Sequence, residues 1–474
     1  MNKKQNASWI LAALLICAFT GMFSETSLNI ALTVLMTSLK VNAGTIQWLT
    51  TGYLLTLGIV MPFTALLIQM VTTRKLFFTA TTNLAVGTLL GGISFNFPML
   101  LFARILQAIG MGILLPLMFN TVLIIFDKNK RGSAMGTLGL VLSFAPALGP
   151  AISGVLIQTT SWRFIFFVLL PFIILGMLIG YNKLSDIGKT QKQHFDIFSA
   201  ITSTIGFGMV VYSFNMAENS WTNPLTLVSL AIGLISLLFF VKRQNHTKTP
   251  ILNLTVFKYP VFLMGLSLVL ICSIVFQGTM IILPMYLQTG ARLSVLSAGL
   301  ILLPGSATNG FLQMVAGHIF DNYGYKRLVF PGFLIVIMSL LFFKMLTPNS
   351  SVLLIVLLDI VLMAGIAMIW TGAQTHALNQ LPPSLYADGS AIINTLLQVV
   401  GAISVATSIT ILTNGKNTYL SSLKGIVTPT DVSKAITLGA NHVFAGLLVV
   451  SFLGLIISFS MHRISLRINN TTAL

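Results

Sequence analysis

The sequence predicts an all-α polytopic membrane protein, and both its composition and its hydrophobic segments indicate this class. Of its 474 residues, 55% are hydrophobic and only 7% are charged, whereas a soluble protein carries roughly a quarter charged residues. The apolar residues fall into fourteen segments, each close to the roughly 20 residues that a helix needs to cross a bilayer. No soluble core absorbs that much apolar sequence, so the solvent around this chain is predicted to be lipid.

The charged residues predict how the chain is oriented. Basic pairs such as Arg74-Lys75, Lys130-Arg131 and Lys326-Arg327 fall in loops on the side of the N-terminus. Because an excess of Lys and Arg marks the cytoplasmic side, both termini are predicted in the cytoplasm, at a bacterial plasma membrane. The last outer loop, about 414–441, is predicted to be polar and mobile. The predicted spans are residues 8–34, 44–70, 76–95, 98–125, 133–158, 163–183, 196–217, 224–241, 259–287, 293–318, 326–346, 350–378, 387–413 and 442–464.

An internal repeat predicts how the spans are grouped. Six residues near the second span recur near the tenth span at a constant offset of 252. Two similar halves of six spans, joined by two additional spans, account for this offset. The predicted units are an N-terminal bundle (1–190), a linking pair (191–250) and a C-terminal bundle (251–474). The repeated residues are Ala65, Gln69, Thr72, Arg74, Lys75 and Leu76, matched by Gly317, Asp321, Gly324, Lys326, Arg327 and Leu328.

Several motifs occur on successive spans in a fixed order. They are Gln47-Trp48-x-x-x-x-Tyr53, Arg104-x-x-Gln107-x-x-Gly110-x-Gly112, the stretch from Ala145 to Gly154, Leu302-Leu303-Pro304, and Gly317-x-x-x-Asp321-x-x-Gly324-x-Lys326-Arg327. With these motifs the sequence resembles the major facilitator superfamily, and within it the fourteen-span drug/proton antiporter branch (EmrB/QacA-like). The resemblance runs nearly from end to end. The resemblance implies a fold of 6 + 2 + 6 transmembrane helices, and a protein that exports drugs by alternating access.

The resemblance also implies roles for particular residues. Glu25 and Asn29 lie where the branch has its carboxylate-containing motif of span 1, and both are predicted to bind substrate, although the branch typically has Asp where this chain has Glu25. The first inner-loop motif departs from the family at Gln69 and Thr72, so we expect Gln69→Asp to strengthen the contact that it makes. The implied antiporter motif comprises Pro146, Gly149, Pro150 and Gly154. The implied gating residues are Gln69, Arg74, Gly317, Asp321, Gly324, Lys326 and Arg327.

The ionisable residues inside the spans point to a transport site without reference to any family. Counted along helices, Glu25, Asp359 and Arg104 lie about 14, 13 and 9 Å below the outer ends of their spans. Each costs about 2.5–3.5 kcal/mol or more in lipid, so they are predicted to face an interior cavity. Desolvation favours a neutral carboxyl group and a nearby cation favours a charged one. Such a group can exchange a proton for a cationic drug.

Each of these assignments has a structural alternative. Glu25 and Asp359 are predicted to take part in proton coupling and to bind substrate. The alternative is that they only form hydrogen bonds between helices. Arg104 is a proton relay or a structural tether. Trp48, Tyr53 and Trp370 line an aromatic site for planar cations, or they are interfacial and core residues. The proline and glycine residues of span 5 serve a rocking interface or ordinary packing.

The sequence therefore predicts a proton-coupled multidrug antiporter for amphipathic, mainly cationic compounds. The alternatives are an exporter of one metabolite or lipid on the same fold, and a membrane sensor without transport. No enzyme is predicted, because residues 187–190 only partly resemble a phosphate-binding loop and the histidines lack ligand spacing. No cofactor is predicted, since the proton gradient drives export. The expected partners are drugs, protons and the bilayer, and no nucleic acid is expected to bind. The protein is predicted to be a monomer. Cys17 and Cys272 are predicted as small buried side chains.

Overall fold

The computed structural model describes residues 3–186, 196–217, 221–247, 250–423 and 427–471, and the stretch 187–190 lies outside them. Within these ranges the chain forms fourteen helices of 18 residues or more and no strand. The all-α prediction is confirmed. The helices are α1 (Lys3–Leu39), α2 (Trp48–Met70), α3 (Thr73–Gly92), α4 (Phe97–Ile125), α5 (Arg131–Thr159), α6 (Phe164–Lys183), α7 (Ile197–Ala217), α8 (Pro224–His246), α9 (Pro260–Met285), α10 (Val295–Tyr323), α11 (Lys326–Phe343), α12 (Val352–Asn379), α13 (Tyr386–Ser422) and α14 (Pro429–Thr471).

Twelve of these helices are long and apolar enough to cross a membrane by length and composition. The other two, α3 and α10, have 20 and 29 residues. Both Cys17 and Cys272 are buried and unpaired, as predicted. The prediction of a polar outer loop at 414–441 is wrong for most of its length, because α13 continues to Ser422 and α14 begins at Pro429. A polar sequence can continue a helix once the helix has left the apolar layer.

The order of the helices along the chain also relates the contacts of the two halves. The α3–α4 contact is repeated by α11–α12, the α1–α5 contact by α9–α13, and the α1–α6 contact by α9–α14. A repeated sequence pattern therefore gives a repeated packing pattern. The unit boundaries at 190 and 250 stay a prediction.

The linking pair, α7 and α8, packs on both halves through α7, which contacts α2 of the first half and α13 of the second half. Trp48 at the start of α2 stacks on Tyr212 of α7, with ring centroids 6.0 Å apart. From the connection between α7 and α8, Trp221 Nε1 donates a hydrogen bond to Thr410 Oγ1 of α13 at 2.5 Å. The pair therefore contacts both halves where α2 and α13 adjoin.

The two halves meet most closely where α5 crosses α10. We call the membrane face on which the chain begins and ends the terminal face, and the other the opposite face. On the terminal-face side, a Cβ added to Gly317 would lie 2.1 Å from Gly132 O, and one added to Gly136 would lie 2.3 Å from Gln313 O. Only residues without a side chain allow the two backbones to approach this closely.

We predict that Gly136→Ala weakens the α5–α10 contact, because its methyl group would overlap backbone atoms of Gln313 and Met314. Overpacking of this kind costs about 1–3 kcal/mol. The matched control is Gly154→Ala on the same helix, where an added Cβ meets no atom within 4 Å. Thermal unfolding of the purified variants should place Gly136→Ala below Gly154→Ala. Equal melting temperatures would contradict the close crossing.

Candidate functional site

Arg104 of α4 is the centre of a buried polar cluster in the first half. Its side chain is only 1% exposed. Nη1 donates to the backbone oxygen of Ser24 at 3.1 Å and to Gln107 Oε1 at 3.0 Å, and Nε donates to Leu49 O at 3.4 Å. Arg104 thereby ties α4 to α1 and to the start of α2, which is the geometry expected of a structural tether. A role as proton relay stays a prediction.

Glu25 and Tyr53 belong to the same cluster. The guanidinium of Arg104 lies 4.1 Å from the centroid of the Tyr53 ring, and the Glu25 carboxylate interacts electrostatically with both residues. Glu25 is nevertheless not in an ion pair within 4.0 Å, since Arg243–Asp196 is the one such pair among the residues described. Glu25 Oε2 is buried and, within that part of the chain, has no hydrogen-bond partner. The carboxylate is therefore close to a positive charge but not bound to it.

Asp359 of α12 lies in a separate cluster in the second half. It is 1% exposed, and the side chain packs so closely on α10 that a Cβ at Gly305 would lie 1.9 Å from Oδ2. No contact with Glu25 or Arg104 appears among the described residues. Arg104 and Glu25 lie at one level, because Arg104 Nη1 donates to the backbone oxygen of the adjacent Ser24; a common depth with Asp359 stays a prediction.

The three predicted aromatic residues do not form one wall. Trp48 is 39% exposed and stacks on Tyr212, Tyr53 is buried under Arg104, and Trp370 packs edge-on against Phe276 at 6.1 Å. Each ring faces a different helix neighbour in this conformation, so the three do not share one wall, and their role in substrate binding stays a prediction. The Asn29 side chain lies outside the described residues.

The predicted antiporter motif packs against α1 immediately beside Glu25. A Cβ at Gly149 would lie 2.3 Å from Thr26 Oγ1, and that hydroxyl donates to Pro146 O at 3.3 Å. Gly149 therefore permits close helix approach. Gly154 does not have that role in this conformation, since nothing lies within 4 Å of its added Cβ. The side chain of Pro150 is not among those described.

Asp321 connects α10 to the first turn of α5 at the terminal face. Its carboxylate accepts hydrogen bonds from the backbone N–H groups of Gly132 at 2.7 Å and Ser133 at 2.8 Å, and from Ser133 Oγ at 2.5 Å. A carboxylate at a helix N-terminus satisfies free N–H groups and interacts favourably with the helix dipole. Asp321 therefore holds the two halves together at this face.

Gln69 of α2 makes the corresponding contact between the halves, but here the first half supplies the hydrogen-bond donor from a side chain and the second half supplies the carboxylate from α13. Its Nε2 donates to Asp388 Oδ2 of α13 at 3.1 Å, and Asp388 Oδ1 accepts from the backbone N–H of Asn253 at 2.8 Å. Here the carboxylate belongs to α13, so an aspartate at position 69 would face a second carboxylate. The expectation that Gln69→Asp strengthens this contact is therefore wrong.

Sequence reasoning did not assign a role to Asp388 or to Arg131. Arg131 Nη1 donates to Asn379 Oδ1 at 2.8 Å and to Tyr386 Oη at 3.1 Å, a third contact between the halves. The only signal was the resemblance of the four-residue stretches that begin at Arg131 and at Asp388. That resemblance does not reveal which residues across the interface each side chain contacts.

The other predicted gating residues act within their own half. Arg74 Nη2 donates to Tyr181 O at 3.0 Å, and Arg327 stacks on Tyr323 at 4.1 Å. Gly324 has a φ of +73°, a left-handed conformation that favours glycine, and Lys326 begins α11. Of the predicted gating residues, Gln69 and Asp321 make the hydrogen bonds between the halves, and Gly317 lies at the helix crossing.

A family model described as Major Facilitator Superfamily matches residues 14–405. The chain belongs to the major facilitator superfamily. Similar members include "Lincomycin resistance protein LmrB" of Bacillus subtilis (strain 168), which is 47% identical over 458 residues, covering 96% of each chain. "Putative multidrug resistance protein MdtD" of Pectobacterium atrosepticum is 25% identical over 86% of this chain and 87% of its own. The chain is therefore a multi-pass membrane transporter with drug-resistance proteins among its relatives.

A solved structure from the same superfamily agrees with the fold. The "human organic anion transporter MFSD10 (TETRAN)" matches with a TM-score of 0.64 and covers 97% of this chain and 100% of its own, at 11% identity. At that identity the likeness extends to the fold alone.

We predict that Gln69→Asp destabilises the closed terminal face, because it replaces an amide donor opposite Asp388 with a like charge. Asp388→Asn in the same molecule should restore a donor–acceptor pair, so the double variant Gln69→Asp/Asp388→Asn should recover closure. The measurement is labelling of a single cysteine introduced at Ala387, which adjoins Asp388 and is 6% exposed in this conformation. Labelling should rise several-fold in Gln69→Asp and return towards the parent rate in the double variant. No rise in Gln69→Asp would contradict the contact.

Proposed function

We propose that this transporter exports amphipathic, mainly cationic drugs in exchange for protons, as a member of the fourteen-span antiporter branch. The fourteen long helices and the drug-resistance relatives support the proposal. The clustering of basic pairs at the terminal face supports a cytoplasmic location for both termini in a bacterial plasma membrane.

The observation that carries the proposal is the Glu25 cluster. Glu25 has a buried oxygen without a hydrogen-bond partner among the described residues and lies near Arg104, which is itself held by α1 and α2. A proton and a cationic drug can each neutralise such a carboxylate, so they compete for it. Competition at one site, combined with exposure to the two faces in turn, is sufficient for antiport.

The contacts between the halves support alternating access. The hydrogen bonds described between them run from the terminal face to Ser143, whose Oγ donates to Asn309 Oδ1 at 2.8 Å. Beyond this point, Cβ atoms added to Gly154 and Gly299 meet nothing within 4 Å. We assign this conformation to the state that is closed at the cytoplasmic face. The contacts of Asp321, Gln69 and Arg131 must break for the cytoplasmic face to open.

A narrower substrate range is the second candidate function. The relatives that are 46–47% identical carry the name lincomycin resistance protein, which favours lincomycin as one substrate of this chain. A panel that contains lincomycin and several cationic dyes separates the two functions. Competition by many of the compounds favours multidrug export, and competition by lincomycin alone favours a dedicated exporter.

We predict that Glu25→Gln abolishes proton-driven uptake of cationic dyes into inverted vesicles, because the amide cannot exchange a proton. The substitution keeps the shape of the side chain, so the protein should still fold and insert. The control is Asp431→Asn, which changes a partly exposed acid near the start of α14 and should leave uptake unchanged. Uptake by the parent protein should also cease when an uncoupler is added. Normal uptake by Glu25→Gln at equal expression would remove Glu25 from the mechanism.

A further inference from the structure

Asp359 is a buried carboxylate without an obvious neutralising partner. It is 1% exposed and lies on the membrane-spanning helix α12. No Lys, Arg or His is within 4.0 Å of it in the described ranges, and there its Oδ1 has no hydrogen-bond donor. An isolated negative charge is costly in such surroundings, so it is found paired or neutralised. Something must neutralise Asp359.

A small cavity adjoins this carboxylate. Its volume is about 10 Å³, the space of one water molecule or small ion, and Thr279 of α9 and Ser306 of α10 line it together with Asp359. Thr279 Oγ1 is also buried and unpartnered within the described part of the chain. The remaining lining residues, none of them titratable, are Met280, Leu283, Pro284, Leu302 and Met363.

The groups around the cavity are suited to a cation. A carboxylate and two hydroxyls supply oxygen atoms, which are the ligands that hard cations prefer. Pro284 has no N–H to donate to the carbonyl of Met280, four residues earlier, so that oxygen is left without its helical donor. Backbone carbonyls freed in this way coordinate sodium ions or protons in other transporters.

The internal repeat shows that this site is built differently from the Glu25 cluster. The offset of 252 places Gly305 opposite Tyr53, and the contacts place Asp359 opposite Arg104, because Asp359 packs on Gly305 as Arg104 packs on Tyr53. The second half therefore has a carboxylate where the first half has a guanidinium, and it lacks the aromatic ring. Gly305 makes room for the carboxylate, since any Cβ there would overlap Oδ2.

We propose that Asp359, Thr279 and Ser306 bind one monovalent cation, either a sodium ion or a proton held with a water molecule. The cavity has no room for a drug, so Asp359 recognises a small ion and not a substrate in this conformation. The site is separate from Glu25 and gives the second half its own cation. Its part in transport rests on the proposed antiport, whereas the binding of the cation does not.

Purified protein without drug tests the binding, so a failure of transport would leave the test intact. The melting temperature is measured in sodium chloride and in choline chloride, and infrared difference spectra are searched for the C=O stretch of a protonated carboxyl group. If sodium is the ion, it should stabilise the parent protein but not Asp359→Asn. If the proton is the ion, sodium should have no effect and the parent should show a carboxyl band that Asp359→Asn lacks.

Four further variants test whether the sodium effect or the carboxyl band comes from this cavity. Thr279→Val removes one oxygen and should weaken sodium binding by about tenfold or more, or shift the carboxyl band. Gly305→Ala should displace Asp359 and abolish either signal, whereas Gly299→Ala on the same helix, with open space around it, should preserve it. Glu25→Gln should also preserve it. The proposal is overturned if the parent shows neither signal, or if the signal is lost in Glu25→Gln.

Discussion

The hydrogen bonds of the Asp321 carboxylate to the first turn of α5 are the interaction on which this conformation depends. They satisfy two free N–H groups and one hydroxyl at the end of a helix, where a negative charge is favourable. The contact is possible only because glycines bring the α5 and α10 backbones together at Gly132 and Gly317. The close crossing and the terminal-face closure are therefore one structural feature.

The same fold carries different chemistry in its two halves. At the terminal face, α10 supplies the carboxylate to backbone donors of α5, whereas α13 supplies it to the Gln69 side chain. Within the membrane, Glu25 lies near a guanidinium, whereas Asp359 has a water-sized cavity. The repeat thus fixes the positions of polar groups but not the signs of the charges. This difference is the basis of the separate roles that we propose for Glu25 and Asp359.

Much of the fold follows from the sequence, because crossing a bilayer requires long apolar helices and charges mark their ends. The repeat and the placement of Asp321 at a contact between the halves could also be predicted from the sequence. The contacts of Trp48, Asp388 and Gly305 could not, since they depend on which helix lies opposite, and a linear pattern does not contain that information. The last helices were predicted too short because polar sequence was interpreted as loop, although both continue as helix through most of 414–441.

The central claim is that polar contacts of Asp321 hold the terminal face closed, and a distance measurement tests it most directly. Spin labels on the exposed residues Lys130 and Asn322 report the separation of α5 and α10 at this face. A carboxylate at a helix N-terminus contributes about 0.3–1 kcal/mol, and up to about 2 when partly buried, enough to change a two-state population several-fold. The account predicts one short distance in the parent and a second, longer population in Asp321→Asn. Identical distributions in the two proteins would contradict it.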